Sequence, residues 1–392
     1  MTPDRSQVSG HSPRWVYAVL AICAAGCAVV THLPPHAMGT TPTTTRSTVT
    51  EQPHYTDYVG VIHIHTVYSD GAGTFEEIAR LANAQQLDYV VVTDHNTLQP
   101  LRDRKQGWYG TTLVLVGMEI STSGGHYLAM NVTQEIDRSH LTTQQIIDEV
   151  NRQGGLGFIA HPFFKKRRWT DWTVTGFTGI EGYNVAHDAI DENRLRLALW
   201  TLTAPVEPFY LSILDRPYDP LGKWDAMIAQ HGRVVGIGAS DAHEVRVLGL
   251  KFAPYEIMFR LSRTHVLVAS SALTDADVYE ALRRGHAYFS IELVADAKGF
   301  SFQAEDGHRV LGIMGDEVPL QAGLALTASL PAPGQMTLMK NGHAVGTKTD
   351  QHWEIPVSEP GVYRLEVSRH EKPWIFSNPI YVRTAPLLLR QD

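Results

Sequence analysis

Residues 60–70 read GVIHIHTVYSD. The β-branched start, Val61, Ile62 and Ile64, marks a buried strand. Strand alternation then sets His63 and His65 on one face, with Ile62 and Ile64 turned to the opposite wall. Asp70 follows within a turn. Working outward, short apolar runs that end in a metal-type side chain recur along the chain. VVVTDHN (90–96) leads to His95, VLVGMEIS (114–121) carries Glu119, and GGHYLAM (124–130) opens on His126. GFIAHPF (157–163) leads to His161, and GIGASDAHE (236–244) to Asp241 and His243. Imidazole and carboxylate without thiolate suit zinc, manganese or iron. Buried charges need partners, and these side chains find them in one another through metal. The expectation is a multinuclear metallohydrolase, with His63, His65, Asp70, His95, Glu119, His126, His161, Asp241 and His243 as the candidate metal-binding residues.

Helical signals separate the runs. Thr74 and Glu77 have the spacing of a capping box, as do Thr142 and Gln145. Residues 186–204, 223–231 and 274–285 also read as helices. Strand–helix alternation over residues 55–294 predicts an α/β barrel of parallel strands, with the metal-type residues at the strands' C-terminal ends, where βα loops converge. From Ala295 the texture becomes short alternating strands, with Asn341-Gly342 as a hairpin turn. Residues 295–387 are therefore expected to form a small all-β, sandwich-like domain.

The chain has 392 residues and a formal net charge of −8, which argues against a duplex nucleic-acid binder. Trp15 to Val30 carries no charge and spans about 24 Å as a helix, short for a membrane span and suited to a signal segment. Arg5 and Arg14 precede it, and the next basic residue is Arg46. This asymmetry predicts an exported, periplasmic or otherwise extracytoplasmic protein. Residues 1–31 are expected to be a signal peptide or membrane anchor, and the Thr/Pro-rich residues 32–54 a disordered linker. Both cysteines, Cys23 and Cys27, lie in the apolar segment, so thiol catalysis is excluded from the rest. Ala24-Ala25-Gly26-Cys27 has the outline of a lipoprotein processing site.

The motifs HIHTVYSDG, TDHNT, GMEIS, AHP and SDAH resemble those of the PHP (polymerase and histidinol phosphatase) family, over about residues 57–294. The resemblance implies a distorted (β/α)7 barrel and a two- or three-metal hydrolytic site. It implies a first metal held by His63, His65, Glu119 and Asp241. Glu119 would bridge to a second with His126 and His161, and Asp70, His95 and His243 would hold a third. YEALRRGHAYFS, followed by a β domain ending PWIFSNPIYV, resembles the carbaryl hydrolase-like branch, which cuts amide or carbamate bonds. The short motifs also resemble the branch of nucleotide phosphatases and exoribonucleases. Hydrolysis by metal-activated water is thus implied more firmly than any one substrate.

Four cations, Lys165, Lys166, Arg167 and Arg168, begin four residues after His161. Cations beside a metal site suit a phosphate ester or another anion; a solvated loop or a lipid-headgroup contact are the alternatives. Glu181, Asn184 and His187 lie in GIEGYNVAHD, at another expected strand, and are candidates for the substrate pocket and for proton transfer. His187, His243 and a metal-bound water are all open as the general acid, and Asp70 is a further catalytic candidate beside its ligand role. Asp94 is expected to orient the site rather than bind metal. The readings are an exported phosphoesterase acting on a small or phosphorylated molecule, an amide, ester or carbamate hydrolase on the same fold, and a non-catalytic cell-surface binding module that keeps a metal.

Overall fold

The computed structural model describes residues 54–184, 206–247, 250–307 and 309–384. The chain is mixed α/β, rich in sheet and poor in helix. Thr56–Ile64 pairs in parallel with Tyr89–Val92, which pairs in parallel with Thr112–Val116. Gly117 breaks the next run, so residues 114–121 form two strands, Thr112–Val116 and Met118–Thr122. A Cβ at Gly117 would meet the carbonyl oxygen of Ala129 at 2.6 Å, which accounts for glycine at the corner.

The second sheet runs Met118–Thr122, Gly125–Met130, Leu156–Ile159, Gly179–Asn184 and Val235–Ala239. Its first three strands pair antiparallel and its last three in parallel. The two sheets are joined by backbone hydrogen bonds. Ser240 N donates to Ile62 O at 3.0 Å and His65 N to Ala242 O at 2.9 Å, while Asn96 N donates to Glu119 O at 2.9 Å.

The uniformly parallel arrangement expected from the sequence is corrected at three strands. Gly125–Met130 returns through only Ser123-Gly124, too short a connection for a crossover, so it must be antiparallel. Arg263–Val268 pairs antiparallel with Thr56–Ile64, and Ala287–Ser290 with Arg263–Val268. Helices follow only some strands. Phe75–Ala84 is capped by Thr74, whose hydroxyl accepts from Glu77 N at 3.2 Å. Thr143–Arg152 carries the full reciprocal capping box of Thr142 and Gln145. Tyr218–His231 starts five residues before its expected position. The helix expected over 186–204 lies outside the described residues.

Strands from Ser301 onward join the first sheet, because Ala287–Ser290 pairs with Lys372–Ser377. They enclose a hydrophobic cluster that includes Phe302, Leu326, Leu365 and Trp374, together with Leu267 and Tyr288 of the preceding strands. Asn341 (φ 50°) and Gly342 (φ 81°) turn the long hairpin of Leu324–Lys340 and His343–Pro356, as two successive positive φ values require. Among the described residues no helix is long and apolar enough to cross a membrane. Trp15–Val30 lies outside those residues.

Candidate metal centre

The metal-type residues gather at one end of the strands. His65, His95, His161 and Asp241 lie within three residues of strand ends, and Glu119 sits across from His95 in a parallel bridge. His126 is at the start of its strand, but that strand runs the other way, so its start lies beside the end of Leu156–Ile159, where Ala160 N donates to His126 O at 3.1 Å.

His63 departs from the regular alternation expected of it. Its φ is 69°, and the register slips between Ile62 and Ile64. Ala242 N and Ser240 Oγ both donate to the His63 carbonyl, at 3.2 and 2.8 Å, and hold the bulge. His161 (φ 24°) and Asp241 (φ 48°) are also left-handed. Non-glycine residues in that region cost about 1–3 kcal/mol each and collect at functional sites. With this backbone, His63 and Asp241 meet at one point and His161 faces the other oxygen of Glu119.

That point has a recognisable geometry. His63 Nε2 and His65 Nε2 each lie 3.3 Å from Glu119 Oε2 and 3.3 Å from Asp241 Oδ1. A tetrahedral site with donor–metal distances of about 2.0–2.1 Å has donor–donor edges of about 3.3–3.4 Å. Four of the six edges therefore match such a cage. His63 Nε2, His65 Nε2 and Glu119 Oε2 are buried and make no hydrogen bond among the described residues. Unpaired buried polar atoms are costly, and a cation at the centre would satisfy all of them. The donor set fits a divalent transition metal.

The other Glu119 oxygen faces a second group: Oε1 lies 2.7 Å from His126 Nδ1 and 2.9 Å from His161 Nε2. His95 Nδ1, another buried atom without a hydrogen bond, is 2.9 Å from Glu119 Oε2. His95, Glu119 and His126 have donors close enough to hold one ion. At the solvent side, His65, Asp70, His95 and His243 form a third such group. Asp70 Oδ1 lies 3.3 Å from His243 Nε2, and Asp70 Oδ2 3.5 Å from His95 Nε2. His95 thus stands between the second and third groups, presenting one ring nitrogen to each. The nine residues singled out by the sequence come together in one cluster.

Surrounding side chains orient this set. Glu181 is fully buried. Its Oε1 accepts from His63 Nδ1 at 2.6 Å, and its Oε2 from His161 N at 2.5 Å and Asn184 Nδ2 at 2.7 Å. Asp94 accepts from Thr66 N, Thr66 Oγ1 and Ser69 Oγ at 2.8, 2.7 and 2.6 Å, so both of its oxygens brace the loop that carries Asp70. A Cβ at Gly71 would meet the His65 carbonyl oxygen at 2.3 Å, so this loop also needs its glycine. Glu244 is buried and accepts from Arg246 Nε at 2.6 Å.

Charge is shared across the cluster. Burial pushes the Glu119 carboxyl up, but the His63 charge and the bonds from His126 and His161 hold it well below the carboxylate range. Burial likewise raises Asp241, and His63, His65 and His161 reverse that. The His243 hydrogen bond brings Asp70 down to about 2. Burial lowers His243, but Asp70 and Asp241 push it up to about 9. Burial also lowers His63, which the charges of Glu119, Asp241 and Glu181 raise well above its ordinary value.

A cavity of about 650 Å³ opens over the cluster, lined by Asp70, His95, Glu119, His126, Asp241 and His243, with Phe164, Arg167, Val245, Ala253 and Met258 on its other walls. The four-cation expectation is narrowed here. Lys165, Lys166, Arg167 and Arg168 are all exposed, but only Arg167 lines this cavity. Arg168 lies over the Phe163 ring, 5.6 Å from its centroid. Asn184 lines a separate cavity of about 210 Å³ behind His161. His187 lies outside the described residues. Sequence reasoning placed Glu181 near the pocket but missed its grip on His63. Its only signal is a carboxylate inside an apolar strand, GIEGYN.

No family model matches the sequence. Over 116 residues the chain is 29% identical to an uncharacterized protein of Methanocaldococcus jannaschii, a match that spans 26% of this chain and 66% of the relative. Among solved structures, the chain is similar to a two-domain protein from Bacteroides vulgatus containing a predicted PHP-like metal-dependent phosphoesterase. The TM-score is 0.44 at 15% identity, covering 84% of this chain and 97% of that one. It is also similar to an amidohydrolase from Chromobacterium violaceum with bound sulfate and no metal, at TM-score 0.32 and 14% identity, covering 47% of this chain and 87% of that one.

Proposed function

We propose that the chain is a metal-dependent hydrolase and that its reaction is hydrolysis of a phosphate ester, on a distorted (β/α)7 barrel of PHP type. The observation that carries the hydrolase reading is the four-donor cage of His63, His65, Glu119 and Asp241, with its 3.3 Å edges, beneath an open cavity. A tetrahedral cage of four protein donors is closed by itself, whereas catalytic sites keep access for water or substrate. That access lies at the neighbouring groups of Asp70, His95, His126 and His243, which line the cavity. This argues against a binding module that merely keeps a metal.

Zinc, manganese or iron held here would supply Lewis acidity to a substrate oxygen and to water. The residues do the rest. Glu181 keeps the proton of His63 on Nδ1 and leaves Nε2 to bind. Glu119 divides its two oxygens between the cage and the His126–His161 side. Asp70 and His243 line the cavity 3.3 Å apart, and can either share a third ion or hold a proton at His243 Nε2 for a departing group. Arg167 is the cation placed to meet an anion at the cavity wall.

The second reading, hydrolysis of a neutral amide, ester or carbamate, is favoured by one observation: Lys165, Lys166 and Arg168 do not line the cavity, while four apolar residues do. Purified protein loaded with zinc, manganese or iron and offered phosphomonoesters, phosphodiesters, aryl esters and anilides separates the two. Turnover of phosphate esters that is lost on chelation supports the first reading, and turnover of the neutral panel alone replaces it with the second. We also propose export, on the uncharged Trp15–Val30 run. A reporter active only outside the cytoplasm, fused after residue 60, should give signal; a fusion active only in the cytoplasm rejects it.

A further inference from the structure

We infer that the site takes a phosphomonoester with one apolar, aryl-sized group, and that Phe164, Val245, Ala253 and Met258 select that group while Arg167 meets the phosphate. This deepens the phosphoesterase reading and rests on it.

A charge inventory of the cavity points this way. Its acidic lining residues Asp70, Glu119 and Asp241 all belong to the metal-type groups. The remaining one, Glu244, is tied to Arg246 at 2.6 Å and to Lys251 at 3.1 Å. Among the described residues, Arg167 is the one lysine or arginine in the lining, and it makes no ion pair there. A second phosphate, as in a bisphosphate or nucleoside polyphosphate, would lose its water without gaining a second lysine or arginine among the described residues, which is a large cost.

The uncharged polar lining is also spoken for. Asn96 Oδ1 accepts from Ser121 N at 2.8 Å, and Asn96 Nδ2 donates to Ser121 Oγ at 3.2 Å. A sugar or polyol would therefore find few open partners.

The wall facing the metal-type residues is apolar. Phe164 stands edge-on to the His161 ring at 5.6 Å between centroids, which ties this wall to the site. Met258 is buried on the helix Tyr255–Leu261, and a flexible thioether adapts to flat aromatic faces. Val245 is 54% exposed, although it is apolar and lines the mouth. An apolar substituent seated there would remove that surface from water. With Arg167 as the one lysine or arginine among the described lining residues and an apolar wall beside it, the cavity matches an amphiphilic monoester.

The test uses the metal-loaded full chain. We would measure kcat/KM for phenyl phosphate, glycerol phosphate and a hexose bisphosphate, and binding of phenylphosphonate and methylphosphonate by calorimetry. Phenyl phosphate should exceed the other two by at least about tenfold, and phenylphosphonate should bind at least about tenfold more tightly than methylphosphonate. The double variant Phe164→Ala, Val245→Asn should bring both ratios close to one with metal content unchanged. Arg167→Gln should raise KM about tenfold for every phosphate ester and leave the ratios alone. Phosphate ester turnover without the aryl preference, or with the bisphosphate preferred, overturns this inference and leaves the phosphoesterase reading standing. Turnover of neutral aryl esters but of no phosphate ester overturns both.

Discussion

Glu181 Oε1 accepts the Nδ1 proton of His63 at 2.6 Å, and both side chains are fully buried. This bond decides which nitrogen of His63 is free. With Nδ1 committed, the Nε2 lone pair points to Glu119 Oε2 and Asp241 Oδ1. The second carboxylate oxygen holds the His161 backbone N–H, beside a residue kept at φ 24°. Glu181→Gln keeps the volume but loses the charge, and should weaken the tightest zinc binding by about 10–100-fold. Competition against a fluorescent chelator reads this directly, and a melting curve of the metal-free variant shows whether the fold survives. Unchanged affinity in a folded variant would remove Glu181 from the positioning role.

Glu119 serves two groups with two oxygens, so its loss should cost more than one ion. Glu119→Ala should reduce bound metal by at least one equivalent and abolish turnover, whereas Asp70→Asn, at the half-exposed third group, should lose only the weakest ion. Elemental analysis after reconstitution distinguishes the two. Uptake should also release protons, because ligands bind deprotonated. His243 is held up to about 9 by Asp70 and Asp241 against burial. Affinity at the third group should therefore climb as pH rises towards that value, and pH-independent uptake would contradict it.

The ligand-type residues were legible because most sit at or just beyond an end of an apolar run, and a buried imidazole or carboxylate in that place has few other uses. What a linear pattern could not carry is backbone strain and strand direction. His63 and His65 converge through a bulge with φ 69° at His63, not through plain alternation. His126 reaches the site only because its strand is reversed by a two-residue turn. Arg167 faces the cavity while its neighbours Lys165, Lys166 and Arg168 do not, because a loop has no period from which to read direction. The roles of Glu181 and Arg364 were invisible for another reason. Their partners, His63 and Asp225, lie 118 and 139 residues away.

A buried ionic group away from the metal site gives a pH signature in stability. His265 Nδ1 lies 2.9 Å from Asp57 Oδ1, and Asp57 Oδ2 accepts from Tyr288 OH at 2.6 Å and Gly299 N at 2.7 Å. Glu292 lies 3.5 Å from the far nitrogen of His265. Burial lowers His265, but the charges of Asp57 and Glu292 raise it above its ordinary value. Burial raises Asp57, but His265 outweighs it and brings it below its own. The histidine contribution is full below about pH 6.5 and is lost as pH rises through the elevated folded value. The aspartate contribution is full above about pH 4 and is lost as pH falls through the depressed one. Denaturant unfolding of the wild type should therefore show a plateau between those limits with a decline on both sides. Asp57→Asn should lower that plateau by about 3 kcal/mol and shift the alkaline decline towards lower pH. A profile in the variant parallel to the wild type would refute the assignment.

Arg364 supplies the last prediction. It is 1% exposed, on the strand Gly361–Arg369. Its Nε and Nη2 donate to Asp225 of the helix Tyr218–His231 at 2.8 and 2.6 Å, and its Nη1 to Glu366 at 2.7 Å. Glu366 in turn takes Arg216 through two bonds of 2.6 and 2.7 Å. The chain Asp225, Arg364, Glu366, Arg216 thus clips the segment before and within the helix to the C-terminal strand. Arg364→Ala takes from Asp225 its two guanidinium bonds and leaves Glu366 with Arg216. It should cost about 3–5 kcal/mol, the usual penalty for breaking a buried pair from one side. Arg152 and Glu149 offer the control, since their 2.6 Å contact is equally short but the arginine side chain is 64% exposed. Arg152→Ala should change stability by less than about 1 kcal/mol. Metal content should be unaffected in both, because neither arginine touches the cluster. Equal losses for the two variants in urea titrations would show that the length of the contact, and not its burial, sets its worth.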